Sequence, residues 1–417
     1  MNFMIKDILI MQKQELDIKL KELYIQRKAD YKKLDNPLIK VIVGPRRAGK
    51  SFFAFHFLNK QGNFGYVNFD DERLTDIKDY DAVVEAMNTV YKNPKFVLFD
   101  EIQNLPKWEL FVNRMQRQGM NLIITGSNSK LLSKELGTHL TGRHFLINIF
   151  PFSFKEYLEV NKKELTTHQI KEKLDNFVIY GGYPEPLIKN IDYKDYLSTL
   201  FNSIIYKDIV KRHKIRFAQG IEDLAFYLMS NIANEYSYTA LSKMTKIQSV
   251  HTIEKYINYL EEAFIFFSLK KFSYKLKEQI TSNKKIYCID NGFIYAKAFK
   301  ASPDMGKLYE NIVACELKNR ELNNNIKIYY WKNQEHEEVD FVLKEGEKIK
   351  QIIQVCFNVK NIETKNREIR ALIKAGKELK CSDLLIITED YESEEKVRWF
   401  NKKANIKFTP LWKWLLS

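Results

Sequence analysis

The sequence predicts an α/β protein that begins with a parallel β-sheet, continues through a helical segment and ends in a second α/β region. Five apolar, β-branched or aromatic runs recur between residues 39 and 150, with helix-length intervals between them. The pattern becomes helical from about residue 151 to 235, and strand-like runs return from residue 285. Apolar strands that alternate with helices are typical of a parallel sheet covered on both faces.

The individual elements are predicted from changes in the spacing of apolar residues along the chain. Residues 1–37 are charged and helix-prone, and this pattern ends where Asn36 and Pro37 break it. The five predicted strands then follow in order: IKVIVG (39–44), FGYVNFDD (64–71), KFVLFDE (95–101), NLIITGS (121–127) and HFLINIF (144–150).

Composition limits the class of protein. The net charge of +14, from 67 basic and 53 acidic residues, fits a polyanionic partner and fits a solvated lysine-rich surface equally well. The four cysteines stand far apart without a Cys-x-x-Cys pair, which argues against zinc or a disulfide framework and predicts reduced thiols in the cytoplasm. No apolar run approaches the roughly 20 residues of a membrane helix, so we expect no membrane segment.

The stretch GPRRAGKS lies between the first predicted strand and the helix-prone run FFAFHFL. It fits the template G-x-x-x-x-G-K-[ST], whose backbone N–H groups wrap phosphates. Lys50 would add a positive charge at the β- and γ-phosphates, and Ser51 would bind Mg²⁺. The sequence therefore predicts an ATP site with Mg²⁺. The predicted nucleotide contacts are Gly44, Pro45, Arg46, Arg47, Ala48, Gly49, Lys50 and Ser51.

An acidic pair ends the third predicted strand. In FVLFDE, Asp100 would hold Mg²⁺, and Glu101 would orient and deprotonate the attacking water. An acidic pair alone is more often a helix cap or a turn. In combination with the phosphate loop it predicts hydrolysis.

Two further candidates follow the fourth strand and precede the fifth. In LIITGSNS, Thr125, Ser127 or Asn128 can hydrogen-bond the γ-phosphate or the water, or simply form a polar turn. Arg143, just before HFLINIF, is suited to stabilise transition-state charge, including in a neighbouring subunit of a homo-oligomer. A surface arginine at a strand start is the alternative. Asn128 and Arg143 join Glu101 as the candidate catalytic residues.

The order of these motifs with GGYPEPL and IYKDIVKRH resembles a prokaryotic family of AAA+-type ATPases. These are archaeal-type ATP-binding proteins near the STAND branch with a C-terminal domain of unknown function. In that family the phosphate loop is the Walker A motif and the acidic strand end is Walker B. The resemblance implies that Pro184 contacts the adenine base, and that a sensor arginine lies in or after a helical lid, where Arg212 is one candidate.

Residues 236–277 read as a short helix, a turn, a longer helix and a strand, which resembles a winged helix-turn-helix. The longer helix is predicted to bury Val250, Ile253, Ile257 and Leu260. Its other face and the following wing carry Ser249, His251, Thr252, Lys255, Asn258, Lys270, Lys271, Lys275 and Lys277. The face is only mildly basic and includes Glu254. Contact with DNA and simple packing against the lid both remain open.

The C-terminal region resembles the restriction-endonuclease-like PD-(D/E)xK fold, with Glu310 on a helix and Asp340 before a hairpin. Nucleases of this fold need a (D/E)-x-K strand, and this sequence has Gln354 and Cys356 in those positions. The amide removes an anionic metal ligand, and the thiol removes the ammonium group. Lys360, four residues beyond Cys356, would supply the missing ammonium group only if the chain took an unusual path. The departure argues against nuclease activity.

We therefore predict five segments: an N-terminal helical segment (1–37), a P-loop ATPase core (38–155), a helical lid (156–220), a winged helix-turn-helix (221–280) and a nuclease-inactive restriction-endonuclease-like domain (281–417). The leading hypothesis is an ATP-driven switch with DNA as a candidate partner. An ATP-gated DNA nuclease and a protein-binding signalling or defence scaffold are the alternatives.

Overall fold

The structure is a computed structural model that describes residues 5–29, 31, 34, 36–74, 77–127, 144–160, 164–298, 304–399 and 402–417. Contacts divide the chain into two compact units. The first comprises residues 1–151 with 262–264, and the second comprises residues 152–261 with 265–417. The five-segment division stays a prediction.

Strands and helices alternate in the first unit. They are α1 (Ile5–Lys19), β1 (Ile39–Val43), α2 (Lys50–Gln61), β2 (Phe64–Asn68), α3 (Tyr80–Tyr91), β3 (Phe96–Asp100), α4 (Trp108–Arg117), β4 (Asn121–Gly126) and β5 (His144–Asn148), with 3-10 turns at Glu72–Leu74 and Ile102–Asn104. The strands pair in the order β2-β3-β4-β1-β5, and every neighbouring pair is parallel. The predicted parallel sheet is confirmed.

The sheet is buried on both faces, which explains why its strands read as continuous apolar runs. Every residue of β1 is buried, and so are four of the five residues of β2 and of β3. Because all five strands run in the same direction, their carboxyl ends meet at one edge of the sheet. Ligands of open parallel sheets bind at that edge.

The N-terminal segment differs from the helix predicted over residues 1–37. α1 ends at Lys19, and residues 23–29 run without helical structure. Ile25 and Arg27 in this stretch are buried. Arg27 donates hydrogen bonds to backbone carbonyl groups of Ala48 and Phe150, so tertiary contacts override the local helical propensity.

Helices begin the second unit, as the sequence predicts. They are α5 (Phe154–Glu159), α6 (Thr167–Tyr180), α7 (Pro184–Lys189), α8 (Tyr193–Ser203), a π-helical turn (Ile204–Lys211) and α9 (Ala218–Ser230). α5 and α6 each begin with a capping box, formed by Ser153 with Glu156 and by Thr166 with Gln169. These reciprocal hydrogen bonds fix where the two helices start.

A three-stranded antiparallel sheet with two helices follows. Its elements are β6 (Glu235–Tyr236), α10 (Tyr238–Met244), α11 (Val250–Glu262), β7 (Phe266–Lys270), α12 (Leu276–Thr281) and β8 (Lys284–Cys288), with strand order β6-β8-β7. Ile253, Ile257 and Leu260 are buried, as predicted. The prediction was wrong for Val250, which is 38% exposed because it is the first residue of α11, ahead of the buried stripe; Tyr256 is buried instead.

The second unit ends in a mixed α/β sheet. Its elements are α13 (Asn291–Lys297), α14 (Met305–Asn323), β9 (Ile326–Lys332), β10 (Glu338–Glu345), β11 (Lys348–Cys356), α15 (Ile362–Glu378), β12 (Leu384–Thr388), β13 (Ser393–Trp399), β14 (Lys402–Pro410) and α16 (Leu411–Leu416). The strand order is β13-β14-β12-β11-β10-β9, with β11, β12 and β14 parallel. β10 is antiparallel to both of its neighbours, so Asp340 lies beside β11.

The helices of the second unit are short or polar. α14 has 19 residues, among them Lys307, Glu310 and Arg320. Across the described ranges, none of the helices combines the length and the apolar character that crossing a membrane requires.

Candidate functional site

The loop between β1 and α2 needs glycine at both ends. Gly44 has φ +154°, and a Cβ atom there would stand 1.9 Å from the carbonyl oxygen of Ile149. Gly49, with φ +93°, precedes the first residue of α2, and Arg47 also has a positive φ of 64°. Backbone turns that mix left-handed residues in this way form the concave nests that bind anions. The loop therefore has the backbone form of a phosphate cradle at a helix N-terminus.

Lys50 lies inside this loop. Its side chain is 4% exposed, and its Nζ donates to the carbonyl oxygens of Gly44 at 3.1 Å and of Pro45 at 2.9 Å. Both acceptors belong to the loop itself. A buried ammonium group held by weakly basic carbonyl oxygens can exchange them for the stronger charge of a phosphate.

Ser51 and Asp100 meet across two neighbouring elements, α2 and β3. Ser51 Oγ donates to Asp100 Oδ1 at 2.9 Å. Thr125, at the end of β4, also donates to Asp100 Oδ1, and its own hydroxyl oxygen accepts the backbone N–H of Glu101 at 3.0 Å. Thr125 is fully buried, so its hydroxyl positions the acidic pair and is not free to face a phosphate.

Asp100 is a buried carboxylate with an unusual pKa. Burial, and then the neighbouring charge of Glu101, raises its pKa, while the hydrogen bonds from Thr125 and Ser51 and the charge of Lys50 act in the opposite direction. Tyr66 completes the surroundings, with its hydroxyl 3.5 Å from Asp100 Oδ2. A carboxylate with this cost of burial is suited to bind a cation, because a cation offsets the desolvation of its charge.

Glu101 follows Asp100 in a left-handed backbone conformation with φ 51°. Such strain in a residue other than glycine is often found at functional sites. Its carboxylate is partly exposed and accepts a hydrogen bond from Gln103 Nε2. Glu101 is partly exposed whereas Asp100 is buried, so the two acids have different environments and can play different chemical parts.

Sequence reasoning missed Arg27. Its guanidinium group is 5% exposed and donates to the carbonyl oxygen of Ala48 at 2.7 Å and to that of Phe150. One planar cation thus joins the phosphate loop to the chain that leaves β5. No local pattern around Arg27 predicts this contact, because its acceptors lie 21 and 123 residues away along the chain.

The remaining predicted site residues differ in their burial and in their place in the fold. Pro45 and Ala48 are buried, Arg47 is exposed, and Arg46 lies 4.0 Å from Asp70. Ser127 is buried. Asn128 and Arg143 lie outside the described residues, and their predicted roles stay predictions. Pro184 belongs to the second unit, where it is the first residue of α7.

The residues of the first unit fit a nucleotide with Mg²⁺. Ser51 and Asp100 offer the hard oxygen ligands that Mg²⁺ prefers, and Lys50 offers a cation at the phosphate loop. A side chain at Gly44 would fill the turn that the loop requires. The donor set and the cradle therefore match the group that the motif implies.

The GGYP turn of the second unit has its own reason for two glycines. A Cβ atom on Gly181 would stand 1.8 Å from Asp290 Oδ1, and one on Gly182 would stand 2.3 Å from the carbonyl oxygen of Phe152. Asp290 accepts the N–H of Gly182 at 2.7 Å and that of Gly292 at 2.8 Å. Burial raises the pKa of Asp290 to about 7, against these two hydrogen bonds. Close packing at both positions, together with the positive φ of 76° at Gly181, thus explains the glycine pair.

A second group of buried polar residues includes Glu310, Asp340 and Gln354, the positions at which the sequence resembles the nuclease motif. Lys285 of β8, which sequence reasoning missed, extends its Nζ to Glu310 Oε1 at 2.9 Å, to Asp340 Oδ1 at 3.1 Å and to Glu338 Oε1 at 2.6 Å. We name these four residues the Lys285 cluster. Together with Gln354, three of its members line a cavity of about 640 Å³ (Glu310, Glu338 and Asp340).

Gln354 occupies the middle of this arrangement. Its Oε1 accepts the N–H of Asp340 at 3.1 Å, and its Nε2 donates to Glu368 Oε2 at 2.7 Å. Cys356 is buried, and burial raises the pKa of its thiol to about 11. Lys360 is exposed and is not among the residues that line the cavity.

Comparison with known proteins assigns the first unit to a class. Residues 36–158 match the family described as the AAA domain. Residues 171–304 and 305–414 match two domains of unknown function, DUF8612 and DUF4143. The parallel sheet and the loop geometry agree with this match. Residues 36–158 are therefore a P-loop domain of the AAA class.

Two uncharacterized proteins are similar to most of this chain. The uncharacterized protein MJ1544 of Methanocaldococcus jannaschii is 38% identical over 96% of this chain and 93% of that protein. An uncharacterized protein of Haemophilus influenzae is 29% identical over 81% of this chain and 87% of its own length. This chain belongs to the same family as MJ1544.

Among solved structures, the Walker-type ATPase PaBY2304 of Pyrococcus abyssi is similar over 68% of this chain and 94% of that protein, with a TM-score of 0.42 and 14% identity. The restriction-endonuclease-like fold has no counterpart in the family descriptions that match residues 305–414. It stays a prediction.

Proposed function

We propose that this protein is a Mg²⁺-dependent ATPase that uses ATP binding and hydrolysis as a switch. The observation that carries the proposal is the 2.9 Å hydrogen bond between Ser51 Oγ and Asp100 Oδ1, beside the buried Lys50. It joins the hydroxyl that follows a phosphate loop to the acid that ends a sheet strand. This pair of oxygen ligands is what a nucleotide-bound Mg²⁺ needs.

Each residue of the site then has a chemical role. The backbone N–H groups of residues 46–51 and the ammonium group of Lys50 bind the phosphates. Ser51 and Asp100 hold Mg²⁺, which when bound neutralises charge on the phosphate oxygens. Glu101 accepts a proton from the attacking water. Thr125 keeps Asp100 and the backbone of Glu101 aligned through its two hydrogen bonds.

Three roles are carried over from the sequence. We propose that Asn128 orients the water or the γ-phosphate, and that Arg143 stabilises transition-state charge, in a neighbouring copy if the protein forms a homo-oligomer. Pro184 contacts the adenine base in the proteins that the GGYP motif resembles, and we propose the same contact here.

Replacing Glu101 with glutamine tests the hydrolytic role. The amide keeps the size of the side chain and still accepts the hydrogen bond from Gln103, but it cannot take a proton from water. We expect ATP turnover to fall by about 100-fold or more, because general-base catalysis contributes that much. The affinity for ATP should stay close to that of the wild type. Steady-state phosphate release and equilibrium binding of ATP measure the two quantities.

The matched control is Glu85→Gln, an identical change on the exposed side of α3. It should leave turnover unchanged. Wild-type turnover in Glu101→Gln would show that Glu101 is not the base. Loss of ATP binding in that variant would show that Glu101 supports the loop instead.

For the partner that the switch controls, we propose DNA, contacted by residues 236–277 as a winged helix-turn-helix. Four lysines support this proposal because they are exposed on α11, on β7 and around α12. They are Lys255, Lys270, Lys275 and Lys277. Exposed cations on and near a helix fit sequence-independent contact with phosphates.

Replacing Lys277 with glutamine tests the DNA contact. A lysine that neutralises one phosphate contributes about 1 to the slope of log affinity against log salt concentration. We expect Lys277→Gln to reduce that slope by about 1, as measured by fluorescence anisotropy with duplex DNA at several salt concentrations. Lys194→Gln, an exposed lysine on α8, is the control and should leave the slope unchanged. If the protein shows no salt-dependent affinity for DNA, the result favours the protein-binding scaffold.

For residues 281–417 we propose a restriction-endonuclease-like fold without nuclease activity. The hydrogen bonds of Gln354 support this, since both ends of its amide are used within the protein. The buried thiol of Cys356 supplies no positive charge. The ATP-gated nuclease is therefore the less favoured alternative.

A further inference from the structure

The Lys285 cluster joins three elements of the second unit. Lys285 comes from β8 of the three-stranded sheet, Glu310 from α14, and Glu338 and Asp340 from β10 of the six-stranded sheet. Lys285 is 1% exposed, and Glu310 and Asp340 are 7% and 5% exposed. Two buried carboxylates and the partly exposed carboxylate of Glu338 thus surround one buried ammonium group. Buried carboxylates that converge on one point require a cation between them.

The ammonium group of Lys285 is in contact with three carboxylate groups. A lysine has three N–H donors, and three carboxylate oxygens lie within 3.1 Å of Lys285 Nζ. Burial alone would lower the pKa of Lys285, but the charges of Glu310 and then of Asp340 and Glu338 outweigh it and raise that pKa. The surrounding carboxylates therefore favour the charged form of Lys285. A lysine that orients a water for hydrolysis needs a donor directed at that water, whereas Lys285 donates to Glu310 and Asp340 and lies 2.6 Å from Glu338 Oε1.

The neighbouring residues satisfy one another through direct hydrogen bonds and an ion pair. Gln354 Nε2 lies 2.7 Å from Glu368 Oε2, so a glutamate in place of Gln354 would bring two carboxylates into repulsive contact. The neutral amide turns that repulsion into a hydrogen bond. Arg367 pairs with the other oxygen of Glu368 at 2.7 Å. Amide and guanidinium groups together satisfy the acid that a divalent ion would otherwise hold.

We propose that Lys285 is the resident cation of this cluster and that it locks β8 to β10 and α14. We also propose, resting on the fold proposed above for residues 281–417, that it takes the place that a divalent metal ion holds in a nuclease of that fold. Mg²⁺ does not fit these residues, because the ammonium group already occupies the point that Glu310 and Asp340 share. The site consequently neither binds a divalent ion nor cuts DNA, and it serves as a rigid joint between the two sheets.

Replacing Lys285 with methionine tests the proposal, with Mn²⁺ as the probe and full-length, nucleotide-free protein. The variant loses the charge and keeps the length of the side chain. We expect it to melt at a lower temperature than the wild type and to regain stability when Mn²⁺ is added, because the freed carboxylates bind the ion. The wild type should show no Mn²⁺-dependent shift. Lys285→Met combined with Asp340→Asn should lose the response.

Lys332→Met is the control for removing a charge near the cluster, since Lys332 Nζ lies 3.7 Å from Glu338 and is partly exposed. It should create no Mn²⁺ response.

If Lys285→Met does not fold, electron paramagnetic resonance decides the outcome, because it counts the Mn²⁺ bound by the wild type and by Asp340→Asn. We expect equal numbers. A bound ion that only the wild type holds overturns the proposal. So does Mn²⁺-dependent DNA nicking that Asp340→Asn abolishes.

Discussion

Replacing Lys50 with alanine will abolish measurable binding of ATP. The ammonium group of Lys50 is buried in the loop and held by the carbonyl oxygens of Gly44 and Pro45, so it needs little movement to meet a phosphate. Hydrogen bonds to charged groups contribute about 1.5–3 kcal/mol each. Even two such bonds predict a loss of affinity of about 100-fold or more. Isothermal titration calorimetry with ATP and Mg²⁺ measures it.

The control for this prediction is Lys60→Ala, which removes an exposed lysine at the other end of α2. It changes the net charge by the same amount and should leave ATP affinity unchanged. Equal loss in both variants would indicate a general electrostatic effect, and wild-type affinity in Lys50→Ala would remove the phosphate loop from the proposed function. Circular dichroism of each variant shows whether the sheet is intact.

The sheet and the phosphate loop were predictable because their signals are local. The runs that became β1 to β5 are apolar throughout, and buried parallel strands require that. The template around Gly44 and Lys50 specifies its own turn. Asp100 and Ser51 are 49 residues apart, but each ends or follows a recognisable element. Parallel pairing then brings them to one edge without any further information.

Arg27 and Lys285 were not predictable, for a common physical reason. Each is a cation whose partners lie in distant elements, and each sits in a stretch that looks like a solvated surface. Lys285 follows Lys284 at the start of β8, where two adjacent lysines suggest an exposed strand end. Its partners Glu310 and Asp340 lie 25 and 55 residues away. Only the folded arrangement shows that the charge is buried.

Thr125 shows a third case, in which the residue was found but its role was open. The sequence pattern left three roles open for Thr125: a hydrogen bond to the γ-phosphate, a hydrogen bond to the attacking water, or a place in a polar turn. Its hydroxyl instead joins Asp100 to the backbone of Glu101. The choice depends on where β4 lies relative to β3, and this neighbour relation is not visible in the sequence of either strand.

Replacing Gly44 with alanine will destabilise the first unit strongly. The new Cβ atom would stand 1.9 Å from the carbonyl oxygen of Ile149, far inside contact distance. Relief requires the chain after β5 to move, but the N–H of Ile149 is bonded to the carbonyl oxygen of Val43 at 2.8 Å. The clash therefore breaks that hydrogen bond or distorts the loop. We expect the free energy of unfolding to fall by about 3 kcal/mol or more, with ATP binding lost as well.

Gly119→Ala separates this clash from backbone strain. Gly119 also has a positive φ, +85°, but a Cβ atom there meets nothing within 4 Å. Strain alone should cost about 1–2 kcal/mol, because an L-residue disfavours the left-handed region by that amount. Urea denaturation of both variants measures the difference. If Gly44→Ala loses no more stability than Gly119→Ala, the close approach of Ile149 to the phosphate loop is not what requires glycine. If it loses more, the end of β5 holds the loop in the form that receives a phosphate.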